Sequence, residues 1–525
     1  AQASTACIKA RCLNLRCSSH GNLPDKIAAD SGAISMSGFT DADESASFLQ
    51  VNASRRSLFG RASPLSTLLL GALGVATPGG DASGQDGFVD SNTALEAVEM
   101  LQSHDVSWIN VMFCAIVVAF VSAAAVGGWH GKRQRAWAMV LASYLILIPG
   151  YFVTGFSFQV SVVMPLVGGR LTVTAPRGKP GPIRESTRSM VGLLWTSGSH
   201  SGAVAMAIFA IFVPAAKLFL LMLGEVWRSS PSRRKVRVSR WSIAAVQIVS
   251  KWASPDMFAF SLLYCLLHHM HHKPFVESLQ VLDVGFTCYS AFCICSTAST
   301  LFVAVPRHAS EDAFVSGRPW PCRHLRAGFA GTLALAGVWA FLFVRGITSP
   351  SLRMSLDMTL LQANMDLPGL VVTLTKSFNI EKWLEQDISV WKAAFDLLDW
   401  FQKDGDLNLF LAFVMLFGFC ICLTAASVAA SLGLALRAGF LRDRDKLLPR
   451  MVRALRHLAM LDVCATGFIV LCMAATIYRE NGIVFALDRG VYWLVASEVA
   501  HYAVHHSALT LAAAASCRAE GGFDR

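Results

Sequence analysis

The residues best placed to do chemistry are ionisable side chains standing inside otherwise apolar stretches. Lys217 lies in the middle of an apolar run, three residues after Pro214, with Glu225 two helical turns further on. A charge at such a depth costs about 2.5–3.5 kcal/mol on insertion scales, so it needs a partner, a wet cavity or the interface. Two readings follow: a buried cation that meets a lipid phosphate or an acid such as Asp256 or Asp462, or a structural ion pair between helices. Asp256 and Asp462 each open an apolar run, where an acid suits a helix N-terminus. Glu498, His501 and His505 are spaced by three and four, which puts them on one helix face, where they could relay protons, bind metal or make polar contacts. His268, His269, His271 and His272 crowd the end of another run and could hold a divalent metal or form a wet interfacial cluster. No nucleotide-binding loop, nucleophile elbow or H-E-x-x-H pattern occurs, so no catalytic residue is assigned and an enzyme is disfavoured.

The elements that must carry these residues are membrane helices. The 525-residue chain is 54% hydrophobic and 15% charged, with mean hydropathy +0.49, more apolar than a soluble globule of this size. Runs long enough to cross a hydrocarbon core fall at 106–128, 136–156, 203–226, 254–270, 281–304, 327–345, 407–436, 458–478 and 486–514. The expected fold is therefore an all-α polytopic membrane protein with nine spans.

The net charge of +10 belongs to the short loops. Arg228, Arg233, Arg234, Lys235, Arg237, Arg240 and Lys251 follow the third run. Arg437, Arg442, Arg444, Lys446, Arg450, Arg453 and Arg456 follow the seventh. Alternating spans put both clusters on one, cytoplasm-like side, together with Lys132, Arg133 and Arg135. This is topology and not a nucleic-acid footprint, and no nucleic-acid partner is expected. Segment 346–406, rich in Asp and Glu, falls on the opposite side. Segment 157–202 falls there too, although its basic residues run against the rule. The fourteen cysteines contain no C-x-x-C pair, so neither a zinc knuckle nor a disulfide framework is indicated.

A shift of about 206 residues lays Ala253-Ser254-Pro255-Asp256-Met257 over Ala459-Met460-Leu461-Asp462-Val463. Leu282-Asp283-Val284-Gly285 falls over Leu487-Asp488-Arg489-Gly490 one residue out of register. We therefore expect two parallel-repeated four-helix modules, 129–305 and 306–515, preceded by one extra helix at 106–128 and followed by a short tail, 516–525. Residues 1–105 read as a leader and flexible region. Arg55-Arg56 ahead of a short apolar core is similar to a lumenal targeting signal, which suggests a plastid or another endosymbiotic organelle.

Four motifs in order carry a resemblance. Leu147-Ile148-Pro149-Gly150-Tyr151-Phe152, the run from Gly192 through Trp195 to Gly198, Val213-Pro214-Ala215-Ala216-Lys217-Leu218, and Lys251-Trp252-Ala253-Ser254-Pro255-Asp256 together resemble the paraquat-inducible protein A family. His457 to Val463 and Glu498-Val499-Ala500-His501-Tyr502 look like the same helices in the second module. The resemblance spans roughly 130–510. It implies an integral membrane partner of mammalian-cell-entry-type lipid carriers, in a system that moves phospholipid between membranes. Members typically carry Cys-x-x-Cys elements before each module. This chain has none, so metal binding of the family kind and other cofactors are not expected.

The expectation is thus a membrane component of an intermembrane phospholipid transport system, in contact with membrane lipids and docking a lipid carrier through segment 346–406. A small-solute or divalent metal-ion transporter using His268–His272 remains open, as does a non-transporting assembly subunit.

Overall fold

The computed structural model describes residues 106–164, 169–173, 183–270, 276–305, 325–357, 359–360, 385–441 and 447–521. The leader, its Arg pair, His271 and His272 lie outside them.

Helix α1 (Val106–Trp129) is followed by α2 (Lys132–Phe152). Gly127 sets their approach, because a Cβ there would stand 2.7 Å from the Arg135 Cα. Most of α1 is bare: Trp108, Val111, Val118 and Val121 are exposed apolar side chains, as lipid-facing positions require. Helix α2 stops at Phe152, and the chain turns extended as β1 (Thr154–Met164). Strands β2 (Gly169–Val173) and β3 (Ile183–Ser186) follow. Helix α3 (Thr187–Thr196) is opened by Ser186, whose hydroxyl accepts from the Ser189 N–H. Helix α4 (His200–Val226) includes a π-helical segment at Ile208–Phe212. The basic helix α5 (Arg233–Val249) leads to α6 (Pro255–His269), β4 (Val276–Leu282) and α7 (Val284–Phe302).

A second run of elements then appears in a similar order. It comprises α8 (Leu325–Thr348), β5 (Leu352–Leu356), β6 (Gln386–Ile388), α9 (Val390–Asp404) and α10 (Leu407–Phe440), which holds a π-helical segment at Val414–Cys422. The basic helix α11 (Leu447–Leu458), α12 (Leu461–Ala474), β7 (Ile483–Leu487) and α13 (Arg489–Gly521) complete it. Helix α9 begins on Ser389, which accepts from the Lys392 N–H, and ends at Gly405, whose φ of +69° suits glycine.

In the first run β1 pairs antiparallel with β2, β3 and β4. In the second β5 pairs antiparallel with β6 and β7. The helices that flank each sheet, α2 with α7 and α8 with α13, lie along one another. Between the runs, α6 crosses α12 at Gly467, where a Cβ would stand 2.8 Å from the Phe258 Cβ. Every residue of α6 from Pro255 to Leu267 is buried, which is why so short a helix can occupy the centre.

Among the described residues the protein is mostly helical, and seven helices are long and apolar enough to cross a membrane, with Leu447–Arg479, which spans α11 and α12, counted as one; this is compatible with a multi-pass membrane protein. Two expected spans are not among them. The helix at 254–270 has 15 residues, and the last helix carries Glu498, His501 and His505 in a stretch of lower hydropathy. The all-α expectation is corrected outside the long helices. The segments read as outer loops, 157–202 and 346–406, contain strands and the helices α3 and α9. The run at 136–156 had absorbed the start of β1, whose alternation at Phe156 and Phe158 is too short to stand out beside an apolar helix. The tail at 516–525 begins inside α13.

Candidate functional sites in the buried seams

Lys217 sits on α4, five residues past the π-helical segment and fully buried. Its ammonium donates to Ser250 Oγ at 2.5 Å and to Ser296 Oγ at 3.0 Å, and stands 6.0 Å from the centre of the Phe292 ring. Thr297 and Thr300 extend this cluster through Ser250 at 3.3 Å each. No carboxylate lies within 4 Å of Lys217 among the described residues, so the expected contact with Asp256 or Asp462 is corrected: hydroxyl groups solvate this cation. Glu225 belongs elsewhere, pairing with Arg133 and with Arg228 at 3.3 Å near the basic end of α4. Pro214 opens the turn that presents Lys217, and its carbonyl accepts from the Tyr144 hydroxyl at 2.8 Å.

Asp462 pairs with Lys251, which the sequence marks as a loop charge and as the first residue of the fourth motif, with no role of its own. Lys251 Nζ lies 2.7 Å from Asp462 Oδ2 and also donates to the Ala459 carbonyl at 3.3 Å. The bridge joins the turn before α6 to the start of α12. Both residues are close to fully buried, so loss of either would strand the other's charge. Tyr502 donates to the same carboxylate at 3.4 Å, and Arg456 lies over the Tyr502 ring. Asp256 occupies the matching place at the start of α6. No basic side chain among the described residues pairs with its carboxylate, and the neighbouring Tyr289 hydroxyl donates to the carbonyls of Ala210 and Ala253.

The third group is brought together as the helical spacing predicts. Glu498, His501 and His505 are buried on one face of α13 against α10. Ser427 Oγ lies 3.0 Å from His501 Nε2, and His501 Nδ1 lies 3.3 Å from Glu498 Oε2. Thr424, Ser427 and Ser431 on α10 repeat the spacing of Glu498, His501 and His505 on α13. Among the described residues Thr424 Oγ1 and His505 Nδ1 find no hydrogen-bond partner. The hydroxyl half of this seam carried no sequence signal, since Ser and Thr are common within apolar helices.

His268 and His269 separate into different contacts. His268 meets the Gln280 amide at 2.6 Å and stacks 3.9 Å from the Trp400 ring, while His269 faces the Cys265 carbonyl at 2.7 Å and Asp396 at 3.1 Å. Among the described residues no three His, Cys, Asp or Glu side chains converge as metal ligands.

The motif residues serve local geometry. The Pro149 carbonyl accepts the N–H that caps α2. Gly198 turns the chain between α3 and α4 with φ +83°. Trp252 stacks on Phe209 at 6.3 Å. Asp283 accepts from the Ser157 hydroxyl at 2.6 Å at the end of β4, and Asp488 meets Arg353 at 3.5 Å at the end of β7. Two residues after each Asp a glycine lies against the other strand's leading segment. A Cβ on Gly285 would stand 2.6 Å from the Thr154 carbonyl oxygen, and one on Gly490 would stand 2.7 Å from that of Ser349. In comparisons with family models, curated proteins and solved structures, the chain matches none.

Proposed function

We propose that this chain is a two-module membrane component of an intermembrane phospholipid transport system, which provides or scaffolds a lipid path and docks a lipid-carrier partner through its outer segments. The observation that carries the reading is the recurrence of one element order. Each half has a helix, a small outer sheet, a capped helix, a long helix with a π-helical segment, a basic helix and two further helices around a strand. The motifs that resemble the paraquat-inducible protein A family fall at matching places within it, with Asp283 and Asp488 ending the closing strands and Asp256 and Asp462 opening the crossing helices. In this reading the halves enter from and return to the same basic side, so the pseudo-twofold axis runs along the membrane normal. Apolar helices around buried polar seams suit an amphiphilic cargo better than a reaction. The outer segments that would meet the carrier are the two sheets with α3 and α9.

The experiment is mass spectrometry of the protein released in native membrane discs, with bound lipids and proteins identified together and Lys217→Ala as the comparison. Enrichment of a phospholipid class with an attached lipid carrier, the lipid being lost in the variant, supports the reading. Lipid identical to bulk, no carrier and unchanged behaviour on neutralising Lys217, Asp256 and Asp462 point to a non-transporting assembly subunit instead.

A further inference from the structure

The basic helix α5 is anchored along one side and bare along the other. Val236, Ser239, Ser242, Ile243 and Val246 are its buried residues. The Ser239 hydroxyl donates to the Gly224 carbonyl, and a Cβ on Gly224 would stand 2.7 Å from Ile243 Cγ1. Ser250, which follows the helix, accepts from Lys217 at 2.5 Å. The helix therefore runs back antiparallel beside the apolar helix α4, its start at the basic end of α4 and its finish level with Lys217. At 100° per residue, the line opposite the buried side reads Arg234, Arg237, Trp241 and Ile248. All four are exposed, Trp241 by 67%.

The order along that line matches the layers of a membrane. Two arginines come first, an indole follows, and an aliphatic side chain ends it, over about 21 Å at 1.5 Å per residue. A leaflet presents phosphates, then the interfacial layer where Trp collects, then hydrocarbon. The charge is one-sided as well: from Val226 to Pro255 the chain has seven Lys and Arg and no Asp or Glu. A guanidinium offers paired N–H donors to a phosphate, and such a run attracts anionic lipid. The helix also starts on Ser232 without a side-chain cap, which leaves N–H groups of its first turn to face the same level. An acidic protein segment would pair with the arginines but would leave Trp241 and Ile248 uncovered. In α11, the basic helix of the second half, exposed Leu447 and Met451 bracket Arg450, so no such basic-to-apolar order runs along it.

We infer that the outward line of α5 binds an anionic phospholipid of the leaflet on the basic side, with Arg234 and Arg237 at its headgroup phosphate, Trp241 at the glycerol level and Ile248 against the acyl chain. The inference rests on the lipid-transport reading and names the lipid class that the first half favours.

The test uses the full chain in discs with equal amounts of phosphatidylglycerol and phosphatidylcholine, one of the two carrying a photoreactive diazirine close to the glycerol in each run. Trypsin releases residues 241–251 as one peptide, on which adducts are counted. The phosphatidylglycerol probe should label it roughly tenfold more than the phosphatidylcholine probe. Arg234→Gln with Arg237→Gln should cut that ratio about fivefold or more, since one arginine near an anionic surface is worth about that factor. Arg234→Lys with Arg237→Lys should keep most of it. Both pairs should unfold at the wild-type temperature, because the two positions are exposed. Equal labelling by the two probes, or a preference that survives the glutamine pair, overturns the inference. Absence of any lipid adduct on this peptide also overturns it and leaves the line to an acidic protein partner. Phospholipid transfer between discs, measured on the same variants, separates the two ideas. A labelling preference without transfer keeps the site and sinks the transport reading, and transfer without a labelling preference does the reverse.

Discussion

The two halves build a polar contact at corresponding points from opposite chemistries. In the first, Lys217 on α4 reaches Ser296 on α7; in the second, Ser427 on α10 reaches His501 on α13. Both contacts stand five residues beyond a π-helical segment, the kind of irregularity that often accompanies functional positions. The first half carries the ionisable group on its long helix and hydroxyls on its last. The second carries hydroxyls on the long helix and Glu498, His501 and His505 on the last. On the proposed two-module reading, the location of a polar seam is kept while the groups that build it change helix.

The largest expected effect is at the bridge that lacks a counterpart. Asp462→Asn strands Lys251 in a buried site and should cost about 3–5 kcal/mol, read as a large drop in thermal unfolding temperature in detergent. Lys251→Met combined with Asp462→Leu should recover most of it. Asp256→Asn, at the corresponding position, removes a buried carboxylate that no lysine or arginine pairs with among the described residues, and should leave stability within about 1 kcal/mol of wild type or above it. Equal losses at the two aspartates would break the comparison.

The glycines test the opposite side of it, where the halves should agree. Gly285→Ala and Gly490→Ala each push a methyl group into backbone carbonyls and should each cost about 1–3 kcal/mol. A loss confined to one of them would show that the strand ends are not equivalent. At the polar seams, His501→Ala removes the partner of Ser427 and Glu498 and should cost about 1–3 kcal/mol. Lys217→Met should cost less than about 1 kcal/mol, because Ser250, Ser296, Thr297 and Thr300 can pair among themselves. The smallest effect is at the caps: Ser186→Ala and Ser389→Ala should each remove about 0.5–1 kcal/mol, detected as matched shifts in unfolding temperature.

Much of this comparison was legible in the sequence, for identifiable reasons. Helices that cross a membrane announce themselves because each needs some twenty apolar residues in a row, and Lys217 stood out because a charge interrupts such a row. The paired aspartates were visible because the same short strings recur. The sheets were hidden: β1 follows α2 after a single residue, and β6 has only three residues. The pairing of Lys251 was hidden because it ends a run of basic residues that obeys the charge rule, and the motif it opens does not say whether the lysine is buried or solvated. The Ser427 half of the second seam was hidden because a hydroxyl inside an apolar helix usually bonds its own backbone.

The most direct test of the two-module account is side-specific labelling in sealed vesicles. Single cysteines at Arg184, Arg237, Arg353 and Arg453, all exposed, would be treated with a membrane-impermeant maleimide and read by peptide mass spectrometry at the substituted site. The account predicts that positions 237 and 453 react from one face and positions 184 and 353 from the other. Labelling of 237 and 453 from opposite faces would mean that the second half is inverted relative to the first, and would contradict it.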